Sequence, residues 1–445
     1  MTEMKNSLNL EIKSTAEKFL ESSKEQEIQV ISHFDTDGIT SAAIMTQTLQ
    51  KLDRRFSVQI VKSLEEEFIK NLPKNKLTLF LDLGSGSLNY ITDAGFKEVF
   101  IIDHHEIIQE VPKKINIINS ELHSKQKISA SGLTYLFCKE INPENKEFAK
   151  LAVLGMIGDM LEKEIDKLNS GILDDGEILK KRGLLIYPST RPLNRTLEYS
   201  SNPYIPNVTG DTKGVLELLR EVGLSPENGK YKSLIELNKN EMKKLVTAIM
   251  LRNPKTQNRE IIGDIFLIKL FNKLEDAREL SAMINACSRL ERSDIALQLC
   301  MEIQGAKKRA ESIHAKYKQH IISGLKTASE IAKTQGDNFV IINAQDKIKD
   351  TIVGTIASIL ANSALYEPGT IITTMAYYDD KIKISARNVG REGRNVREVL
   401  NKVITTIGGE VGGHEHAAGG IISQTKEQEF IKLLQKNLEI ETIRI

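Results

Sequence analysis

Between residues 28 and 159 the chain alternates short apolar runs with longer stretches of helical periodicity. Residues 28–31, 77–81 and 99–102 are brief, β-rich and mostly apolar. Such runs mark strands covered on both faces, as in a parallel sheet. Residues 39–52 and 131–140 carry apolar positions at helical spacing, and residues 11–22 do the same ahead of the first strand. This alternation predicts a doubly wound α/β domain, with Asp37-Gly38 forming the tight turn from the first strand into its helix.

The pattern changes beyond residue 160. Long charged helical stretches dominate to about residue 325, broken by Asn202-Pro203-Tyr204-Ile205-Pro206 and Asn253-Pro254. Alternation resumes near Phe339. Residues 339–342, 371–375 and 382–386 read as strands, 353–362 and 396–407 as helices, and 427–438 as a last helix. The expected plan is an α/β parallel-sheet domain (1–165), an α-rich insertion or linker region (166–325) and a smaller C-terminal α/β domain (326–445).

Composition narrows the function only slightly. A chain of 445 residues exceeds one ordinary core, and 40% apolar with 27% charged residues describes a soluble globular protein, expected in the cytoplasm. The formal charge of +1 gives no global attraction for polyanions, so a nucleic-acid partner needs a local basic surface. No apolar run approaches a membrane span, and residues 1–10 lack a secretory apolar core. Cys138, Cys287 and Cys300 have no metal-type spacing and read as small core hydrophobes.

Candidate chemistry sits where the apolar runs end. His33-Phe34-Asp35-Thr36-Asp37-Gly38, Leu81-Asp82-Leu83-Gly84 and Asp103-His104-His105 follow the three strands, and Gly158-Asp159 comes after them. In an open α/β sheet the carboxyl ends of the strands form the ligand crevice, so these segments converge. Carboxylates gathered there repel one another unless a divalent cation lies among them. Of the eight histidines, His33, His104 and His105 fall in these segments and His414 and His416 in a glycine-rich stretch at 412–419, while His123, His314 and His320 sit in ordinary contexts. Asp166, Asp174 and Asp175 read as solvated charges.

Asp103-His104-His105 after an apolar strand, with the upstream Asp-x-Asp and the downstream Gly-Asp, resembles the DHH phosphoesterase superfamily. That superfamily includes RecJ-type exonucleases, nano-RNases, cyclic-dinucleotide phosphodiesterases and family II pyrophosphatases. Gly412-Gly413-His414-Glu415-His416-Ala417-Ala418-Gly419 resembles the GGHxxAAG motif of the DHH-associated domain. Two middle stretches resemble archaeal RecJ-like proteins: Arg191-Pro192-Leu193 leading into residues 202–210, and residues 281–289, where Ser288 stands in place of an expected glycine.

The resemblance implies roles. His33, Asp35 and Asp82 would hold one ion, and Asp37, His104 and Asp159 a second about 4 Å away, with Asp82 bridging. Asp103 would orient the ligands and His105 would face the substrate phosphate. Mixed carboxylate and imidazole donors favour Mn²⁺, with Mg²⁺ second. In the C-terminal domain, Gly412, Gly413 and His414 would approach phosphate, and Arg387 of Ser385-Ala386-Arg387 would grip it, with Arg391, Arg394, Arg397 and Lys402 adding local positive charge. The expected function is a metal-dependent phosphodiesterase. It would act as an exonuclease on single-stranded DNA or RNA in replication or repair, the C-terminal domain holding the strand across an intervening cleft. The alternatives are a nano-RNase or cyclic-dinucleotide phosphodiesterase, and a replication scaffold that binds the GINS complex.

Overall fold

The apolar run at residues 28–31 becomes the first strand of a five-stranded parallel sheet. A computed structural model describes residues 2–107, 109–123, 126–163, 165–200, 205–252, 261–363, 365–390 and 392–439. Asn202, Pro203, Tyr204, Asn253, Pro254 and Arg391 lie outside the described residues. The strands are β1 (Ile28–His33), β2 (Phe56–Val61), β3 (Leu77–Leu81), β4 (Glu98–Asp103) and β5 (Ile115–Asn119), in the spatial order β2-β1-β3-β4-β5. Both faces are covered, which is why the central runs lack polar alternation. Val30, Leu79 and Phe100 pack on one face beneath α1 (Thr2–Ser22), α2 (Thr36–Lys51) and the helices Ala130–Ile141 and Ala149–Gly158. Ile31, Phe80 and Ile101 pack on the other, against Ile69, Leu88 and Ile91. The edge strands β2 and β5 were not distinguished by the sequence pattern; every residue of β2 keeps some exposure, which dilutes its apolar signal.

Strand order reverses between β1 and β3. At that switch point the chain leaves neighbouring strands in opposite directions and opens a crevice at their carboxyl ends. His33 ends β1, Asp82 follows β3 and Asp103 ends β4.

The middle region is less helical than its charge pattern suggests. β6 (Leu179–Leu184), β7 (Ile262–Leu270) and β8 (Lys273–Asp276) form an antiparallel sheet. β7 alternates between two cores. Ile265 and Leu267 join Leu184, Leu218 and Ile249, while Phe266, Ile268 and Leu270 join the core beneath the parallel sheet, together with Leu280, Ile284, Ile295 and Leu299. Burial on both faces removes the polar alternation that would have marked β7 as a strand.

The chain divides into two compact units, Met1–His314 and Ala315–Ile445. In the second, β9 (Thr334–Gly336), β10 (Phe339–Asn343), β11 (Ile371–Tyr378), β12 (Lys381–Asn388), β13 (Gly409–His414) and β14 (Ala417–Ser423) form one sheet in the order β13-β14-β12-β11-β10-β9. Only β10 and β11 run parallel. The helices Val396–Ile407 and Glu427–Glu439 pack on it through Leu400, Ile404, Phe430 and Leu434. Among the described residues no helix is long and apolar enough to cross a membrane.

Candidate metal centre

A helix start needs acceptors for its first N–H groups. In α2 the N-cap is Asp35, whose Oδ1 accepts from Gly38 N at 3.0 Å. Gly38 is required by crowding: a Cβ there would stand 2.3 Å from the His33 carbonyl oxygen. The close turn leaves Asp35 Oδ2 3.1 Å from His33 Nδ1. Asp37, two residues on, is wholly buried and accepts from the backbone of Ala130 (2.6 Å) and Ser131 (3.0 Å) at the start of the helix Ala130–Ile141. A helix N-terminus is where a buried carboxylate is best tolerated. Gly155 makes room for it, since a Cβ there would lie 2.2 Å from Asp37 Oδ1.

Asp82 lies at the centre. It is 1% exposed and has a positive φ of 58°. Its Oδ2 is 3.2 Å from His33 Nδ1, and its Oδ1 is 3.4 Å from His104 Nε2. His104 Nε2 also lies 3.5 Å from Asp159 Oδ2 and 3.9 Å from Asp37 Oδ2. Three groups therefore bring ligand atoms within 4.8 Å of one another: His33, Asp35 and Asp82; Asp37, His104 and Asp159; and Asp82, His104 and His105. Asp103 stands behind them. Its Oδ1 accepts from His104 N (2.8 Å) and lies 2.7 Å from His105 Nδ1, and its Oδ2 accepts from Ser85 N (2.9 Å).

The electrostatics are unbalanced without a cation. Burial pushes the Asp82 carboxyl well above its usual range, and Asp35 and Asp37 add to that. Burial and the charge of Asp37 do the same to Asp159. Burial opposes charge on His33 and His104, yet their carboxylate neighbours outweigh it and raise both above the ordinary imidazole value. Burial would also raise Asp35, but His33 and the Gly38 N–H hold it below the carboxylate range. Asp82 Oδ1 and Asp159 Oδ2 are buried and carry no hydrogen bond. Hard oxygen donors with imidazoles, two of the oxygens unsatisfied, fit divalent metal.

Two supporting residues were not anticipated. Asn119, buried at the end of β5, donates to Ser85 Oγ (2.8 Å) and to the His105 carbonyl (3.0 Å). Ser85 in turn donates its N–H to Asp103. The one usable signal was the place of Asn119 at the end of an apolar run, like the signature residues.

The C-terminal residues gather separately. Register aligns Arg387 on β12 with Ala417 on β14, and Ala417 with His414 on β13. Arg387 donates to Ser358 Oγ (3.0 Å) and to the carbonyls of Ala386 (2.8 Å) and Ala418 (3.2 Å). Gly413 has φ +119°, and a Cβ there would meet the Ala417 carbonyl oxygen at 2.5 Å, whereas Gly412 faces open space. Arg394 has a structural role beside its charge. Its guanidinium is bound to Asn437 O (2.6 Å) and Oδ1 (2.7 Å), so it ties down the last helix; Arg397 and Lys402 are exposed.

Three family domains match the chain along most of its length. The DHH family N-terminal domain matches residues 27–156, the DHH-CID domain residues 186–260 and the DHHA1 domain residues 336–439. An uncharacterised protein of Methanocaldococcus jannaschii is 30% identical over 425 residues, 91% of each chain. The single-stranded-DNA-specific exonuclease RecJ of Bacillus subtilis is 25% identical over 417 residues, 89% of this chain and 44% of that one. Two solved structures share the fold. RecJ from Thermus thermophilus in complex with Mn²⁺ has a TM-score of 0.61 at 18% identity, over 97% of this chain and 55% of that one. CDC45 from Entamoeba histolytica has a TM-score of 0.67 at 11% identity, over 96% and 99%. The T. thermophilus protein is also known in complex with Mg²⁺. The chain thus spans about half the length of these two RecJ proteins. It belongs to the DHH phosphoesterase superfamily and is a RecJ-like member of it.

Proposed function

We propose that this protein is a metal-dependent phosphodiesterase that removes nucleotides from an end of single-stranded DNA or RNA. The observation that carries the reading is the pair of ligand groups, His33-Asp35-Asp82 and Asp37-His104-Asp159, joined where His104 meets Asp82. On this reading the first unit is the catalytic domain and those six side chains hold two divalent ions, Mn²⁺ before Mg²⁺. Bound there, the ions supply an activated water and charge for the phosphoryl oxygens.

The chain's own residues do the rest. Asp37 and Asp82 stay fixed because the fold buries them, so the ligand set needs little rearrangement. Asp103 accepts from His104 N and lies against His105 Nδ1, which fixes the backbone at His104 and orients the His105 ring. The Asp103 contact raises the His105 imidazole above its ordinary value and so favours its charged form, and the side chain is 51% exposed and can meet a phosphate oxygen. His414, Arg387 and the backbone of Gly412 and Gly413 bind phosphates of the strand, contributing grip without metal.

Likeness to the B. subtilis single-stranded-DNA-specific exonuclease supports a polymer substrate over a dinucleotide. Likeness to CDC45 along nearly all of both chains keeps a second reading in view, a replication scaffold that binds GINS. The complete carboxylate cluster favours the enzyme. The test is a time course on end-labelled DNA and RNA oligomers with Mn²⁺, beside the Asp82→Asn variant. Stepwise shortening by the wild type alone supports the enzyme; an inert wild type that captures GINS overturns it.

A further inference from the structure

The first residue of an α-helix has an N–H with no acceptor inside the helix. In α2 that residue is Thr36, which is 1% exposed and lies between Asp35 and Asp37. Asp35 spends one oxygen on Gly38 N, and the other faces His33. The Thr36 N–H is taken instead by Asn285 Oδ1, at 3.1 Å, from the helix Ala277–Arg289. Two more bonds join the same helix to the same residue. The Thr36 hydroxyl donates to the Ser281 carbonyl at 3.1 Å, and the Ser281 hydroxyl donates to Thr36 Oγ1 at 3.3 Å. On its other side Thr36 meets Gly158, where a Cβ would stand 2.8 Å from Thr36 Cβ. Gly158 immediately precedes Asp159. One residue, gripped from two sides, therefore sets three carboxylates.

We infer that Asn285, with Ser281, is a positioning residue for the metal centre, contributed by the middle region. It caps α2 from outside, and so leaves Asp35 an oxygen for a cation. This rests on the metal reading above. Without Asn285 the buried Thr36 N–H has lost its acceptor, and the Asp35 carboxylate becomes the competing one. A buried donor left unpaired is costly enough to redirect a neighbouring acceptor. Loss of Asn285 should therefore show first in metal affinity and only secondarily in folding.

The test measures Mn²⁺ affinity of the full chain by electron paramagnetic resonance of the free ion, beside thermal unfolding of the metal-free protein. Asn285→Leu keeps the size and removes the acceptor; it should weaken Mn²⁺ binding by about tenfold or more, the usual cost of losing a partner that orients a ligand. Asn285→Asp restores an acceptor and should bring affinity back. Thr36→Val, which keeps the N–H but loses the hydroxyl, should show a smaller loss and carries the test if Asn285→Leu does not fold. Wild-type affinity in folded Asn285→Leu, or in Thr36→Val when it stands in, overturns the inference, as does Asn285→Asp behaving like Asn285→Leu. A wild-type chain that takes up no Mn²⁺ overturns the metal reading and this inference with it.

Discussion

The carboxylate crevice of the first unit and the glycine-histidine hairpin of the second both sit at strand ends, yet they are built on opposite terms. In the crevice, Asp37 and Asp82 are sealed in, and two of the carboxylate oxygens, one on Asp82 and one on Asp159, have no hydrogen bond. In the hairpin, His414 is exposed on β13, the outermost strand, and the backbone of β13 is paired with β14. The first arrangement is strained by its own charge and calls for cations. The second also leaves a buried polar atom unpaired, Nδ1 of His416, but among the described residues gathers no carboxylate cluster like that of the crevice. On the proposed reading, chemistry belongs to the crevice and grip to the hairpin.

The sharpest way to break this contrast is Asp82→Asn. Asn tolerates the positive φ at that position and removes a buried carboxyl whose ionisation burial and its acidic neighbours oppose. The variant should lose hydrolysis to background while the metal-free protein melts at a higher temperature than wild type. Retained turnover would remove Asp82 from the site, and a lower melting temperature would deny that the crevice is strained.

Proton linkage gives the next effect. Asp82 and Asp159 are raised above 3.8, and His33 and His104 above 6.5, so all four keep protons in the metal-free protein to higher pH than in the unfolded chain. Their stabilising contribution is complete below those ordinary values and is lost as pH rises through the raised ones. Mn²⁺ must displace these protons, so its affinity should be weak in acid and climb through the same range. Differential scanning fluorimetry at a series of pH values should show the Mn²⁺-induced rise in melting temperature growing from about pH 6 upward. A shift independent of pH would contradict the assignment of these four groups.

Glycine substitutions compare the two places directly. Gly155→Ala puts a Cβ against Asp37 and Ser131, and should cost about 1–3 kcal/mol by overpacking while weakening metal binding. Gly412→Ala meets nothing within 4 Å and should change stability by no more than about 0.5 kcal/mol. Denaturant melts of both variants decide the matter. A loss confined to substrate binding belongs to His414→Ala and Arg387→Ala. Each should keep full Mn²⁺ binding and lose roughly tenfold in oligonucleotide affinity, the scale of one charge-assisted phosphate contact. Unchanged affinity by fluorescence anisotropy would take the hairpin out of substrate binding.

The crevice was legible because each signature ends an apolar run. Burial on both faces of β1, β3 and β4 writes those runs plainly, and Asp82 and Asp103 then stand out as charges where none should be buried. The roles of Asn119 and Asn285 were not legible, although Asn119 ends an apolar run and Asn285 lies in the family-like stretch 281–289. Neither position names its partner, and Asn285, 249 positions beyond Thr36, reaches it only in the folded chain. β7 was lost among charged helical patterns for the reason that made β1 visible, since two-sided burial erases alternation and its length allowed a helix. The bond from Arg394 to Asn437 was equally hidden, because its partner comes from the last helix and no local pattern near Arg394 points to it.

The most direct test of the account is a calorimetric titration of metal-free protein with Mn²⁺, with hydrolysis of an end-labelled single strand followed at each point. The account predicts two ions per chain in the wild type, activity that rises as the second binds, and neither in Asp82→Asn. Hydrolysis that persists in the metal-free protein, or a wild type saturated by a single ion at full activity, would contradict it.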